Sequence, residues 1–377
     1  MKPNILIANQ STGCLTVDVV NEFNRCGKYD KTELFAGVIN IRPSRPDKEV
    51  LITKTMKYNN KSFSKRFISW TISFFHLIIH LALKNNSTEL FLITNPPFNT
   101  FVPFFSRKKY SILIYDIYPD TLISQKIISR QSVIAKFWTW ANKRVFSNAE
   151  DVFTISNEMK KIVGQHVNES KIKVVYNWTH NEHMVPVEKQ NNSFLKDLNL
   201  QDKFIVLYSG NMGYTHDIDA LVDVANELKG ESSIHFLFIG EGGKKKVVES
   251  KIINYGLKNC TVLPYQPNEI IPFSIGSADI GVVTTSSEQT GLSIPSKVNA
   301  LMSVGAALLC LTSEDSELGN LVVENNVGRR FDKNEILQMA RYIKTVYTDR
   351  DYQNLLKANS RKTSFKFTPD NAKLFLK

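Results

Sequence analysis

The sequence predicts an α/β protein of two consecutive domains, each built on a parallel sheet, and three observations predict it. Short apolar runs alternate with helical stretches along the whole chain, the pattern of βα units whose strands are buried on both faces. The alternation stops in a polar stretch between about residues 180 and 203 and then restarts. A length of 377 residues exceeds one ordinary core and suits two domains of about 150–200 residues. The expected division is 1–185, then 186–367, with a terminal helix over 368–377 that packs back on the first domain.

In the first half, Ile5–Ala8, Glu33–Val38, Leu90–Thr94, Ile112–Tyr115, Val152–Ile155 and Val174–Tyr176 read as buried strands. In the second, Phe204–Ser209 leads into Gly210-Asn211-Met212-Gly213 and a helix with Ile218, Leu221, Val222, Ala225 and Leu228 on one face. Ile234–Ile239 follows and ends at Gly240-Glu241-Gly242-Gly243; Thr261–Leu263, Ile280–Val283 and Ala307–Leu311 complete the sheet. Thr368-Pro369 forms an N-cap and N1 pair for the last helix. In such sheets ligands gather at the carboxyl ends of strands, where the glycine turns lie.

The net charge of +11 is confined to one half: residues 1–185 hold 25 Lys and Arg against 14 Asp and Glu, and the remainder holds 22 of each. That asymmetry calls for an anionic partner of the first half: lipid headgroups, a phosphate-bearing acceptor or nucleic acid. Phe67–Leu83 is a 17-residue apolar run, at the short limit of roughly 17–25 residues for a bilayer span. A buried helix, a helix lying in the membrane plane and a true span all fit it. Eight basic residues between Arg42 and Arg66 precede it, and Phe98, Phe101, Phe104 and Phe105 run into Arg107-Lys108-Lys109, a combination suited to an anionic leaflet. Cys14, Cys26, Cys260 and Cys310 form no C-x-x-C pair and read as reduced thiols, with the cytoplasm as default compartment.

Two segments carry anion-binding chemistry. Ser209–Gly213 sits between a strand and a helix, where backbone N–H groups can meet phosphate oxygens, although such a turn also serves simply to reverse the chain. Glu288-Gln289-Thr290-Gly291-Leu292-Ser293-Ile294-Pro295-Ser296-Lys297 leads into a helix and brings glycine, hydroxyls and a lysine to one loop, the lysine acting as a point charge on phosphate. On the acceptor side, Asp116 and Asp120 at a strand end can orient or deprotonate a hydroxyl, or serve as turn residues around Pro119. His76 and His80 have helical metal spacing without a third ligand nearby.

Phe204 through Lys333 resembles the donor domain of family 4 glycosyltransferases, in particular bacterial enzymes of exopolysaccharide, capsule and O-antigen synthesis. The blocks that carry the resemblance are Tyr208-Ser209-Gly210-Asn211-Met212-Gly213-Tyr214-Thr215-His216-Asp217, Phe238-Ile239-Gly240-Glu241-Gly242, Leu263-Pro264-Tyr265-Gln266-Pro267, Ser277-Ala278-Asp279-Ile280 and Pro295-Ser296-Lys297. Weaker likeness runs through Thr94-Asn95-Pro96-Pro97, Asp116-Ile117-Tyr118-Pro119-Asp120 and Tyr176-Asn177-Trp178.

The resemblance implies a GT-B fold, two Rossmann-like domains facing a cleft, and a retaining transferase that needs no metal and takes a nucleotide-diphosphate sugar as substrate. It implies donor contacts at Gly210, Asn211, Gly213, His216, Gly240, Gly242, Tyr265, Glu288, Gly291, Ser296 and Lys297, with Asp116 and Asp120 as catalytic candidates. A lipid-linked glycan acceptor goes with that reading; the charge arithmetic, rather than the resemblance, leads to a peripheral position on the cytoplasmic membrane face, and no nucleic-acid partner is expected. Asn211 and His216 stand where the broad family has arginine and lysine, and Ala300 where it often has a ribose-binding glutamate, so Ser296 and Lys297 take more of the diphosphate. Asp217-Ile218-Asp219 reads D-x-D but is better explained as first-turn helix acids.

Two other classes remain to be weighed. A dinucleotide-dependent oxidoreductase wants G-x-G-x-x-G after the first strand, and Ala8-Asn9-Gln10-Ser11-Thr12-Gly13 supplies one glycine. A basic binding protein is permitted by the charge, with no accompanying nucleic-acid motif.

Overall fold

The computed structural model describes residues 2–40, 43–59, 62–124, 127–214, 216–285 and 295–376. The chain forms two compact units, Met1–Asn177 with Pro369–Lys377, and Trp178–Thr368. This boundary falls before the polar stretch because Trp178 to Asn181 are already bound to the second unit. The Thr179 backbone amide donates to the Phe367 carbonyl (3.2 Å) and the Asn181 side-chain Nδ2 to the Ser364 carbonyl (3.1 Å).

The first unit holds a seven-stranded parallel sheet of β1 (Ile5–Ala8), β2 (Thr32–Ala36), β3 (Leu51–Lys54), β4 (Glu89–Ile93), β5 (Tyr110–Ile114), β6 (Val152–Thr154) and β7 (Ile172–Val174). Their order is β3-β2-β1-β4-β5-β6-β7. Leu6, Ile7, Leu34, Phe91, Ile112 and Phe153 are almost wholly enclosed, as expected where helices cover both faces. The strand β3 is not among the sequence expectations. It is a sheet edge with Leu51 and Ile52 exposed, so burial never gave it an apolar signature. The expected strand Val174–Tyr176 ends two residues earlier, at Val174.

Helix α1 (Cys14–Arg25) follows β1, α2 (Phe63–Ala82) precedes β4, and α3 (Val133–Asn148) precedes β6. The Ser62 hydroxyl caps α2 by accepting from the Lys65 amide (3.3 Å). Only one face of α2 is buried, through Trp70, Phe74, Leu77 and Leu81, while Ile68, Ile72, Phe75 and Ile79 are exposed. The apolar run is thus a half-buried helix. No helix among the described residues is long and apolar enough to cross a membrane. Its two histidines face the sheet, His80 Nε2 meeting Glu33 at 2.6 Å and His76 Nδ1 meeting Thr55 at 3.1 Å. The chain end, Pro369–Leu376, is a 3-10 helix rather than an α-helix and belongs to this unit, with Phe375 packed on Phe91 and Phe153.

The second unit holds β8 (Phe204–Ser209), β9 (Ile234–Ile239), β10 (Cys260–Leu263), β11 (Ile280–Thr284), β12 (Ala307–Leu311) and β13 (Gly328–Phe331). All pair in parallel in the order β10-β9-β8-β11-β12-β13. The edge strand β13 was hidden by Arg329 and Arg330. Helix α4 (Asp219–Glu227) follows the glycine turn after β8, and α5 (Lys245–Asn254) follows the one after β9. Helix α6 (Lys297–Ser303) precedes β12. Each sheet runs outward both ways from its first strand, 3-2-1 on one side and, on the other, 4-5-6-7 in the first unit and 4-5-6 in the second. These are two Rossmann-like units, and strand order reverses between β1 and β4 and between β8 and β11. Ligands of such sheets bind at the carboxyl end of that reversal.

Candidate functional site

At the reversal in the second unit, two glycine turns close on each other backbone to backbone. Gly210 after β8 and Gly240 after β9 have φ of +149° and +147°, values side chains avoid. A β-carbon on Gly240 would stand 1.9 Å from the Gly210 carbonyl oxygen, and one on Gly242 2.5 Å from that of Met212. In place of side chains, the Gly210 amide donates to Ile239 (2.9 Å), Met212 to Glu241 (2.8 Å) and Lys244 back to Met212 (2.8 Å). Gly240 and Gly242 therefore act by buttressing the Gly210–Gly213 turn. The Asn211 side chain lies over the same junction, its Oδ1 2.8 Å from where a β-carbon on Gly242 would stand.

Across the reversal, α6 brings Lys297 to this turn. Its Nζ stands 4.3 Å from the Tyr208 ring centroid and 3.5 Å from where a β-carbon on Gly210 would be. Tyr208 is completely buried, and its hydroxyl donates to the Asn211 carbonyl (2.6 Å). Burial pushes the Lys297 ammonium down to about 8. The nearby Cys310 thiol is pushed up to about 12 by its own burial, so it is uncharged at neutral pH. No carboxylate pairs with Lys297 among the described residues.

His216 joins the same turn, its Nδ1 3.2 Å from where a β-carbon on Gly213 would be, and that nitrogen is buried with no partner among the described residues. Burial, then the charges of Lys297 and Lys244, hold His216 below the ordinary histidine value, so it is neutral at pH 7. Among the described residues, a half-buried cation without a carboxylate and an imidazole nitrogen without a hydrogen-bond partner are groups that can meet an anion. The D-x-D carboxylates are occupied: Asp219, first residue of α4, pairs with Lys244 at 2.6 Å, and Asp217 lies 3.6 Å from Lys333.

The structure thus gathers Gly210, Asn211, Gly213, His216, Gly240, Gly242 and Lys297. Ser296 is exposed beside Lys297 with no capping bond. Tyr265 is exposed beyond β10, close enough to act on Tyr208 electrostatically. Glu288 and Gly291 lie outside the described residues. Tyr208 was not singled out in advance. Inside an apolar strand, a tyrosine that holds a glycine turn looks like any core aromatic.

In the first unit, Asp116 follows β5. Asp116 is exposed by surface area, yet the surrounding protein desolvates it enough to raise its pKa above the ordinary aspartate value. Thr94, at the end of β4, fixes this backbone: its hydroxyl donates to the Asp116 carbonyl (3.1 Å) and accepts from the Tyr115 amide (3.0 Å). Asp120 begins the short helix Asp120–Ser124, and its charge acts on His166. Of the two, Asp116 has the surroundings of a proton acceptor.

Residues 190–363 match the family described as glycosyl transferases group 1. The chain is similar to the probable glycosyltransferase WbjE of Pseudomonas aeruginosa, 22% identical over 70% of this chain and 65% of that one. It is also similar to the putative colanic acid biosynthesis glycosyl transferase WcaI of Escherichia coli K12, 27% identical over 50% of this chain and 47% of that one. The matches thus span about two thirds and about half of those relatives' lengths. The fold is that of Anabaena Alr3699/HepE, solved in complex with UDP and glucose, with a TM-score of 0.72 at 13% identity over 99% of this chain and 98% of that one. Residues 190–363 in the second unit are thus similar to group 1 glycosyl transferases, and the two Rossmann-like units have the GT-B fold.

Proposed function

We propose that this chain, with its group 1 glycosyl transferase domain over residues 190–363, moves a sugar with retention from a UDP-sugar to a lipid-diphosphate-linked glycan in surface-polysaccharide synthesis. The observation that carries the reading is the Lys297 ammonium, half-buried over the Gly210 turn with no carboxylate paired to it among the described residues. A nucleoside diphosphate supplies that charge. As the bond from the sugar to the diphosphate breaks, negative charge grows on the departing phosphate. Lys297, neutral His216 and the Asn211 and Gly213 amides, which have no backbone acceptor among the described residues, meet it with little reorganisation. Asp116 orients the acceptor hydroxyl and draws off its proton.

The UDP assignment is supported by HepE, whose structure holds UDP and glucose. Polysaccharide synthesis is supported by the name of WcaI. The lipid-linked acceptor and a peripheral place at the inner membrane face are supported by the +11 excess in residues 1–185 and the exposed apolar face of α2. No metal is required by this chemistry, since protein groups meet the leaving diphosphate.

The test is a screen of UDP-sugars for UDP release with polyprenyl-diphosphate-linked acceptors present, alongside titration with UDP and NAD. Binding of UDP but not NAD, with acceptor-dependent release, is expected. A chain that binds neither UDP nor another nucleoside diphosphate does not work this way.

A further inference from the structure

Three segments of the first unit, residues 62–84, 97–109 and 127–148, contain no aspartate or glutamate and ten lysines or arginines. The fold brings them side by side. Phe67 on α2 packs against Phe98 (5.4 Å) and Phe74 against Phe105 (5.7 Å), both partners on or just after the 3-10 helix Pro97–Phe104. From its other side, Phe101 stacks on Phe137 (6.0 Å) and Phe104 on Trp140 (5.6 Å), both from α3.

Helix α3 has two apolar faces. Ala135, Trp138, Ala141 and Val145 are buried, whereas Val133, Ile134, Phe137 and Trp140 face solvent. Ordinary surface helices are polar on the outside. A continuous exposed apolar face of this kind marks a binding surface. It is rimmed by the exposed cations Arg107, Arg130, Lys136, Lys143 and Arg144, none with a carboxylate partner among the described residues.

We infer that the outer faces of α2, the 3-10 helix and α3 form one platform that seats the protein on an anionic bilayer, with Trp140 and Phe137 entering the headgroup region. Aromatic rings with a polar rim suit the membrane interface, and the cations with no acids among them select anionic lipid. A second copy of the chain is a poorer occupant, because its like-charged face would be brought against this one. The inference rests on the lipid-linked acceptor reading for its purpose, but its test is separate.

Trp140 is 53% exposed, while Trp70, Trp138 and Trp178 are 5–7% exposed, so one tryptophan reports contact. The full chain is mixed with vesicles of phosphatidylcholine, with and without phosphatidylglycerol, some carrying brominated acyl chains. Binding to the anionic vesicles, weakened by salt, with quenching that Trp140→Phe removes, is expected. Lys136→Glu and Arg144→Glu should each weaken binding by about fivefold or more and leave UDP affinity unchanged. A chain that binds UDP but ignores anionic vesicles at low salt overturns the inference. So does binding that leaves Trp140 unquenched, or a stable dimer that shields Trp140. Vesicle binding without transfer to any lipid-linked acceptor would leave the platform standing and remove the acceptor reading.

Discussion

The Lys297 ammonium rests 4.3 Å above the ring of Tyr208, whose hydroxyl holds the Asn211 carbonyl at 2.6 Å. One buried side chain therefore supports both the cation and the glycine turn of the proposed donor site. The attraction of the ring face for the cation offsets part of its desolvation, and a bound diphosphate offsets the rest.

Lys297→Met should trade binding for stability. At pH 7 the variant should bind UDP about 10–100-fold more weakly and unfold with a free energy higher by on the order of 1–3 kcal/mol. Burial holds Lys297 at about 8, below its ordinary 10.5, so the unfolded chain binds the extra proton in that window. Wild-type stability therefore gains from this group as pH rises from about 8 to 10.5, and the variant's advantage should shrink over the same range. Thermal unfolding at pH 7 and pH 10 measures this. A variant that is less stable than wild type, or that binds UDP equally well, removes Lys297 from the site.

Tyr208→Phe keeps the ring and removes the donor to Asn211. A loss of about 1 kcal/mol in stability and a several-fold loss of UDP affinity are expected. Tyr208→Leu also removes the ring and should weaken UDP binding further. Equal affinities in all three proteins, by calorimetry, would reduce Tyr208 to a core residue.

Gly240→Ala places a β-carbon 1.9 Å from the Gly210 carbonyl at a φ of +147°. It should destabilise the second unit by about 2 kcal/mol or more and disturb the donor turn. Gly230→Ala is the control, since nothing lies within 4 Å of its β-carbon, and it should stay within about 0.5 kcal/mol of wild type. Similar unfolding curves for both variants would contradict the interlocked turns.

Asp116→Asn should lower kcat by roughly 10²–10⁴-fold while leaving the KM for donor nearly unchanged. Because desolvation raises the Asp116 pKa, the base is lost as pH falls through a value above the ordinary aspartate range, and the acid limb of the rate profile should sit there. Asp120→Asn should change little. Rates that depend on Asp120 and ignore Asp116 would reverse the two assignments.

The sequence by itself determined the two α/β units, most of their strands and the anion-binding segments. Strands buried on both faces must be nearly all apolar, and a backbone that bends onto another backbone must have glycine, so Phe204–Ser209, Gly210 and Gly240 were legible. Edge strands carry no such constraint, which is why Leu51–Lys54 and Gly328–Phe331 were missed. The clustering of Gly210, Asn211, His216 and Lys297 depended on strand order, which put β11 beside β8; local sequence does not encode which strands become neighbours. Only the tertiary structure decided that Lys297 has no carboxylate beside it among the described residues and that Ile134, Phe137 and Trp140 face outward. A lysine's solvation, and the side of a two-faced apolar helix that stays uncovered, are set by what packs against them from elsewhere in the chain.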